Sequence, residues 1–120
     1  MLVANVAFAE VSARQDYLKN CAGCHGTDGK GHGPDLYVVP GIAPPDLTVL
    51  AKRNGGVFPF QATEDAIDGR KGIPSHRRLD MPFWGVTMQE QGKGFTPESD
   101  AKVKARIDAL VRYIESIQQH

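Results

Sequence analysis

Cys21, Cys24 and His25 are the residues of this chain best equipped for chemistry, and they fall within five positions, Cys-Ala-Gly-Cys-His. Two thiols three positions apart can each add across one vinyl group of a haem, giving two thioether bonds to a single macrocycle. The histidine directly after the second thiol is then held beneath the ring, where its imidazole can bind the iron. Ala22 and Gly23 are small, which suits backbone passing close to a flat edge. The spacing therefore reads as a haem c attachment site, with Cys21 and Cys24 as tethers and His25 as an axial ligand. A thioredoxin-like dithiol needs a strand before it and a βαβ unit around it, whereas the segment before Cys21 is helix-like. A zinc site needs more soft ligands, and the chain has only two cysteines.

These residues must be positioned by helices. Ser12 is expected to cap a helix that runs through Tyr17 and Leu18 into Cys21 and ends near His25, where Gly26, Gly29, Gly31 and Gly33 follow. Tyr17 and Cys21 are four apart and share a face. The glycine-rich loop 25–34 is read as a wrap around one haem edge. A carbonyl near Pro34 is the candidate acceptor for the second ring N–H of His25, and Leu36 and Tyr37 are candidates to cover the porphyrin. Three prolines in residues 38–45 force extended or turn backbone. Asp46 then caps a short helix over 47–53, and Thr63 marks the start of another that begins at about 61 or 63 and stops at Gly69. Residues 69–95, rich in Gly and Pro, read as one long loop, and long loops are usually functional. Thr96 caps the last helix, with Pro97 at its first position. Val103, Ile107, Leu110, Ile114 and Ile117 make its apolar stripe over roughly 20 residues. That stripe is expected to cross the Tyr17–Leu18 face of the first helix.

The second axial position must be filled from elsewhere. The candidates are Met81, Met88, His32 and His76. Met81 is favoured because Pro82 stiffens the backbone after it and Phe83 and Trp84 supply apolar surface that excludes water. Met88 looks more exposed, His76 sits among polar residues, and His32 is too close to His25 to reach the opposite face. A thioether is a soft, neutral ligand that favours ferrous iron, and with both axial positions filled the iron can pass an electron and do little else.

At 120 residues the chain is one domain, taken as 10–120, with 1–9 read as the tail of an export signal or a flexible N-terminus. Fourteen basic residues balance fourteen acidic ones, which argues against a nucleic-acid binder. No apolar run is long enough to span a membrane. Within 69–80, Arg70, Lys71, Arg77 and Arg78 stand against Asp80 alone, a local basic patch suited to docking an acidic redox partner.

The order Cys21-Ala22-Gly23-Cys24-His25, Gly33-Pro34, Met81-Pro82 and a final helix with Leu110-Val111-Arg112-Tyr113-Ile114 resembles the bacterial class I cytochromes c over about residues 10–118. The resemblance implies an all-α fold in which N- and C-terminal helices cross and short helices and long loops wrap one haem. It implies His25 and Met81 as iron ligands, the Pro34 carbonyl as the partner of His25, and haem contacts at Leu36 and Trp84. The expectation is a soluble, monomeric, periplasmic carrier with one covalent haem c, passing single electrons between redox proteins, rather than an enzyme. Two readings compete: a haem enzyme or gas sensor with a labile sixth position, and a non-haem metal or dithiol module.

Overall fold

The computed structural model describes residues 12–35, 44–71, 81–89 and 95–119, and the regular elements among them are all helical. Residues 12–20 form α1; Ser12, expected as its cap, already has helical backbone. A turn at Cys21 separates α1 from α2, Ala22–His25, and the Cys21 N–H still donates to the Tyr17 carbonyl at 2.8 Å. The Asp46 carboxylate accepts from the Thr48 N–H at 2.8 Å, capping a 3-10 turn, Leu47–Val49, that runs into α3, Leu50–Arg53. The helix expected over 47–53 is thus two short pieces, the first more tightly wound. α4 spans Phe60–Asp68, so Thr63 lies inside it; its hydroxyl donates to the Pro59 carbonyl at 2.7 Å instead of capping. The stretch 69–95 is not one loop, because Trp84–Thr87 forms a single helical turn, α5. α6 covers Pro97–Ser116, and the Thr96 hydroxyl accepts from the Ser99 N–H at 3.0 Å, as its sequence signature required.

The apolar stripe of α6 is the centre of the core. Val103, Ile107, Leu110 and Ile114 are buried, and Val111 joins them because a period of 3.6 residues carries two neighbouring rows toward the same partner. Tyr17 of α1 is fully buried against this cluster, with its ring 5.2 Å from that of Tyr113. The faces of α1 and α6 meet as expected. Ile117 falls past the helix end, where Gln118 takes over: its side chain donates to the Leu47 carbonyl at 2.5 Å and accepts from the Ala51 N–H at 3.0 Å. A buried polar residue thereby fastens α6 to the 47–51 turn with its groups satisfied.

A second fastening joins α1 to α6. The Arg106 guanidinium donates through Nε and Nη2 to the two carboxylate oxygens of Asp16, each at 2.7 Å. Burial on its own would raise the Asp16 carboxyl; the bonds from Arg106 and Asn20 outweigh it and hold the group below its ordinary 3.8. A depressed carboxyl stabilises the fold fully above that ordinary value, and the contribution is lost as the pH falls through the lowered one. Arg106 is 44% exposed, so solvent screening limits the pair to about 1 kcal/mol. Arg106→Gln should therefore lower the urea-unfolding free energy by about that amount near neutral pH, with the deficit shrinking at a pH well below the ordinary carboxyl value of 3.8. An equal deficit at both pH values would remove the ion pair as its cause.

Candidate haem centre

The Cys-Ala-Gly-Cys-His stretch lies where α1 passes into α2. Ala22 is buried in the core, Cys21 is half-buried against it, and Cys24 is exposed. The two thiols are not joined to each other. Burial first, and then the Asp16 carboxylate, push the Cys21 thiol up to about 12. A redox dithiol works through thiolate, so the raised thiol runs against that reading at Cys21.

Two contacts hold the motif's backbone in place. The Tyr17 hydroxyl donates to the Gly26 carbonyl at 2.8 Å, tying the residue after His25 to the core. The glycine loop then folds back, with the Gly33 N–H donating to the Cys24 carbonyl at 3.1 Å. A side chain at Gly33 would run into the backbone of Gly23 and Cys24, so only glycine permits this approach.

His25 is the informative residue. Burial lowers its pKa from the ordinary 6.5, which keeps the imidazole neutral and its lone pair available. A backbone group of Pro45 opposes that lowering, and Pro34 and Pro45 are both exposed. The Leu47 N–H donates to the Gly29 carbonyl at 2.7 Å, which draws the segment after Pro45 back toward the glycine loop. Nδ1 of His25 is buried with no hydrogen-bond partner. A buried ring nitrogen without a partner is costly unless something absent from the protein atoms engages it. The chemistry of the donor set fits a haem: two unbridged thiols at the right spacing, a neutral histidine beside them and a ring nitrogen left over.

Met81, Trp84 and Met88 are each half-buried and pack on the same core as Cys21. Met88 is thus less exposed than its polar neighbours implied. It lines a cavity of about 150 Å³ together with Ser99, Lys102, Val103 and Arg106, to which Met81 does not contribute. The segment bearing all three is held by contacts that its sequence does not advertise. The Gln89 side chain is buried, donating to the Gly85 carbonyl at 3.0 Å and to Asp100 at 3.2 Å while accepting from the Ser99 hydroxyl. Gly85 is packed so closely against the Asp68–Arg70 pair that a Cβ would collide with both side chains.

The basic patch is partly neutralised. Arg70 bonds Asp68 at 2.7 Å and Asp100 at 2.6 Å, and Lys71 pairs with Asp65 at 3.3 Å. Counting charge along 69–80 missed these acids because α4 and α6 deliver them through space. Leu36, Tyr37, His76, Arg77 and Arg78 lie outside the described residues, as do 1–11 and His120. His32 is exposed in the glycine loop.

No helix among the described residues is long and apolar enough to cross a membrane. No curated protein and no solved structure matches the chain. The family described as Cytochrome c matches it over residues 12–118, which takes in the motif, every helix described above and the Gln118 clamp. An agreement that runs nearly end to end, on an all-helical body, makes the chain a member of the cytochrome c family with the class I fold.

Proposed function

We propose that the chain is a periplasmic, monomeric carrier that holds one haem c and exchanges single electrons with other redox proteins. The observation that carries this reading is the buried, unpartnered Nδ1 of His25 beside two unbridged thiols. When bound, haem supplies an iron couple that changes by one electron. The chain's own residues do the rest. Cys21 and Cys24 would tether the haem through two thioethers, each S–H adding across a vinyl group with no net oxidation, and His25 and Met81 would hold the iron through a neutral imidazole nitrogen and a thioether. Trp84 and the half-buried core beside it keep water from the sulfur. Met81 is preferred over Met88 because Pro82 stiffens the backbone after it and Phe83 and Trp84 offer apolar surface beside it. Periplasmic location follows from attachment chemistry that bacteria perform outside the cytoplasm. Partner docking near Arg70, Lys71, Arg77 and Arg78 draws less on Arg70 and Lys71 than their charges suggest, since both already have acidic partners.

Two measurements on the purified protein test the reading. The haem should stay with the polypeptide through denaturing extraction and be released from a Cys21→Ser, Cys24→Ser variant. The reduced protein should also fail to bind carbon monoxide. Ready carbon monoxide binding would replace the carrier with a haem enzyme or gas sensor having an open sixth position, and a colourless protein would overturn both.

A further inference from the structure

Met81 stands three positions before α5, and α5 is a single helical turn. So short a helix does not persist by itself, and its place is set by what packs on it. Before the turn, the Phe83 ring lies against Gly69, just past the end of α4, where a Cβ would strike the ring. Within it, Gly85 sits against the Asp68 and Arg70 side chains. After it comes Gln89, which is buried and uses both ends of its amide. The Gln89 nitrogen donates to the Gly85 carbonyl at 3.0 Å and to Oδ1 of Asp100 at 3.2 Å, and its oxygen accepts from the buried Ser99 hydroxyl. The same Oδ1 of Asp100 accepts from Nη1 of Arg70 at 2.6 Å, and Arg70 holds Asp68 through Nε and Nη2 at 2.7 and 2.8 Å. One carboxylate oxygen on the first turn of α6 thus joins the end of α4 to the end of α5.

Apolar packing is non-directional, whereas a satisfied buried polar network fixes one geometry. We propose that Gln89 and Asp100 are positioning residues for Met81: their hydrogen bonds lock α5 between α4 and α6 and set how often the methionine swings away from its working position. The proposal rests on the reading of Met81 as the second axial ligand. The lock acts through the backbone, since Pro82 has a fixed φ and passes a shift of α5 on to the residue before it.

The test compares variants of the haem-loaded full chain. Gln89→Leu keeps the bulk and removes the hydrogen bonds. Asp100→Ala removes the shared acceptor, while Asp100→Asn keeps an oxygen for both donors and loses the charge. In Gln89→Leu and Asp100→Ala, hydrogen exchange at the Met88 N–H, which donates to the Trp84 carbonyl at 2.9 Å, should quicken. The expected factor is about tenfold, the size of one lost hydrogen bond. Imidazole uptake by the oxidised protein should quicken by a similar factor, because each uptake waits for the methionine to leave. Asp100→Asn should stay near the parent in both measurements. Gln118→Ala, which loosens the far end of α6, should change neither. Either Gln89→Leu or Asp100→Ala supports the lock by itself should the other fold poorly. Equal quickening in Gln118→Ala would make the effect a general loss of stability and overturn the proposal. A parent without the sulfur-to-iron charge-transfer band overturns the reading of Met81 and the positioning role with it. A parent that has the band, with uptake unchanged in both variants, overturns the positioning role alone.

Discussion

Met81→Ala should remove the sulfur-to-iron charge-transfer band of the oxidised protein and open the reduced protein to carbon monoxide, while Met88→Ala leaves both properties unchanged. The reasoning is chemical. A thioether stabilises ferrous iron, and its loss lets water or an external ligand take the position. The reduction potential should drop by a sizeable part of the roughly 0.8 V over which axial ligands tune haem. Stability should change much less, because Met81 is only half-buried and its neighbours Pro82 and Phe83 are already exposed. The two methionines pack on one core, so the paired comparison is the decisive part of the experiment. If only Met88→Ala abolishes the band, the ligand is Met88, and the cavity beside Lys102 and Arg106 is where the sulfur is presented.

Tyr17→Ala should be the most damaging single substitution for the fold, at about 3–5 kcal/mol. That is a large share of the roughly 5–15 kcal/mol that holds a domain together. Three contributions vanish at once: a fully buried ring, its 5.2 Å contact with Tyr113, and the 2.8 Å bond to the Gly26 carbonyl. Tyr17→Phe separates them. It keeps the ring and strips only the hydroxyl, so about 1–2 kcal/mol should be lost from leaving the Gly26 carbonyl without its donor. Urea unfolding of the haem-loaded protein measures both. A Phe variant as unstable as the Ala variant would mean the hydroxyl, not the packed ring, holds α1 on α6.

Local rules reached the Cys-Ala-Gly-Cys-His candidates and the start of α6, but not the starts of α1 and α4. Cys21, Cys24 and His25 needed only adjacency, and the Thr96–Pro97 start of α6 needed only a cap and a fixed φ. The same holds for Asp46 and for Gly69, whose left-handed φ of 79° ends α4. These features are decided by chemistry within a few residues, so one chain segment contains the whole cause. Other features depended on distant partners. The Leu47 N–H reaches back to the Gly29 carbonyl, eighteen positions away. Arg70 is neutralised by Asp100 thirty positions away, and Gln89, a polar residue in an irregular stretch, is buried because Ser99 and Asp100 of α6 satisfy it. The amino-acid sequence alone determined which atoms could hold a haem and which helices would carry them. Which acids meet Arg70 and Lys71 and which partners satisfy Gln89 and Gln118 were decided by the tertiary structure, because hydrogen bonds and ion pairs act over a few ångströms of space whatever the separation along the chain.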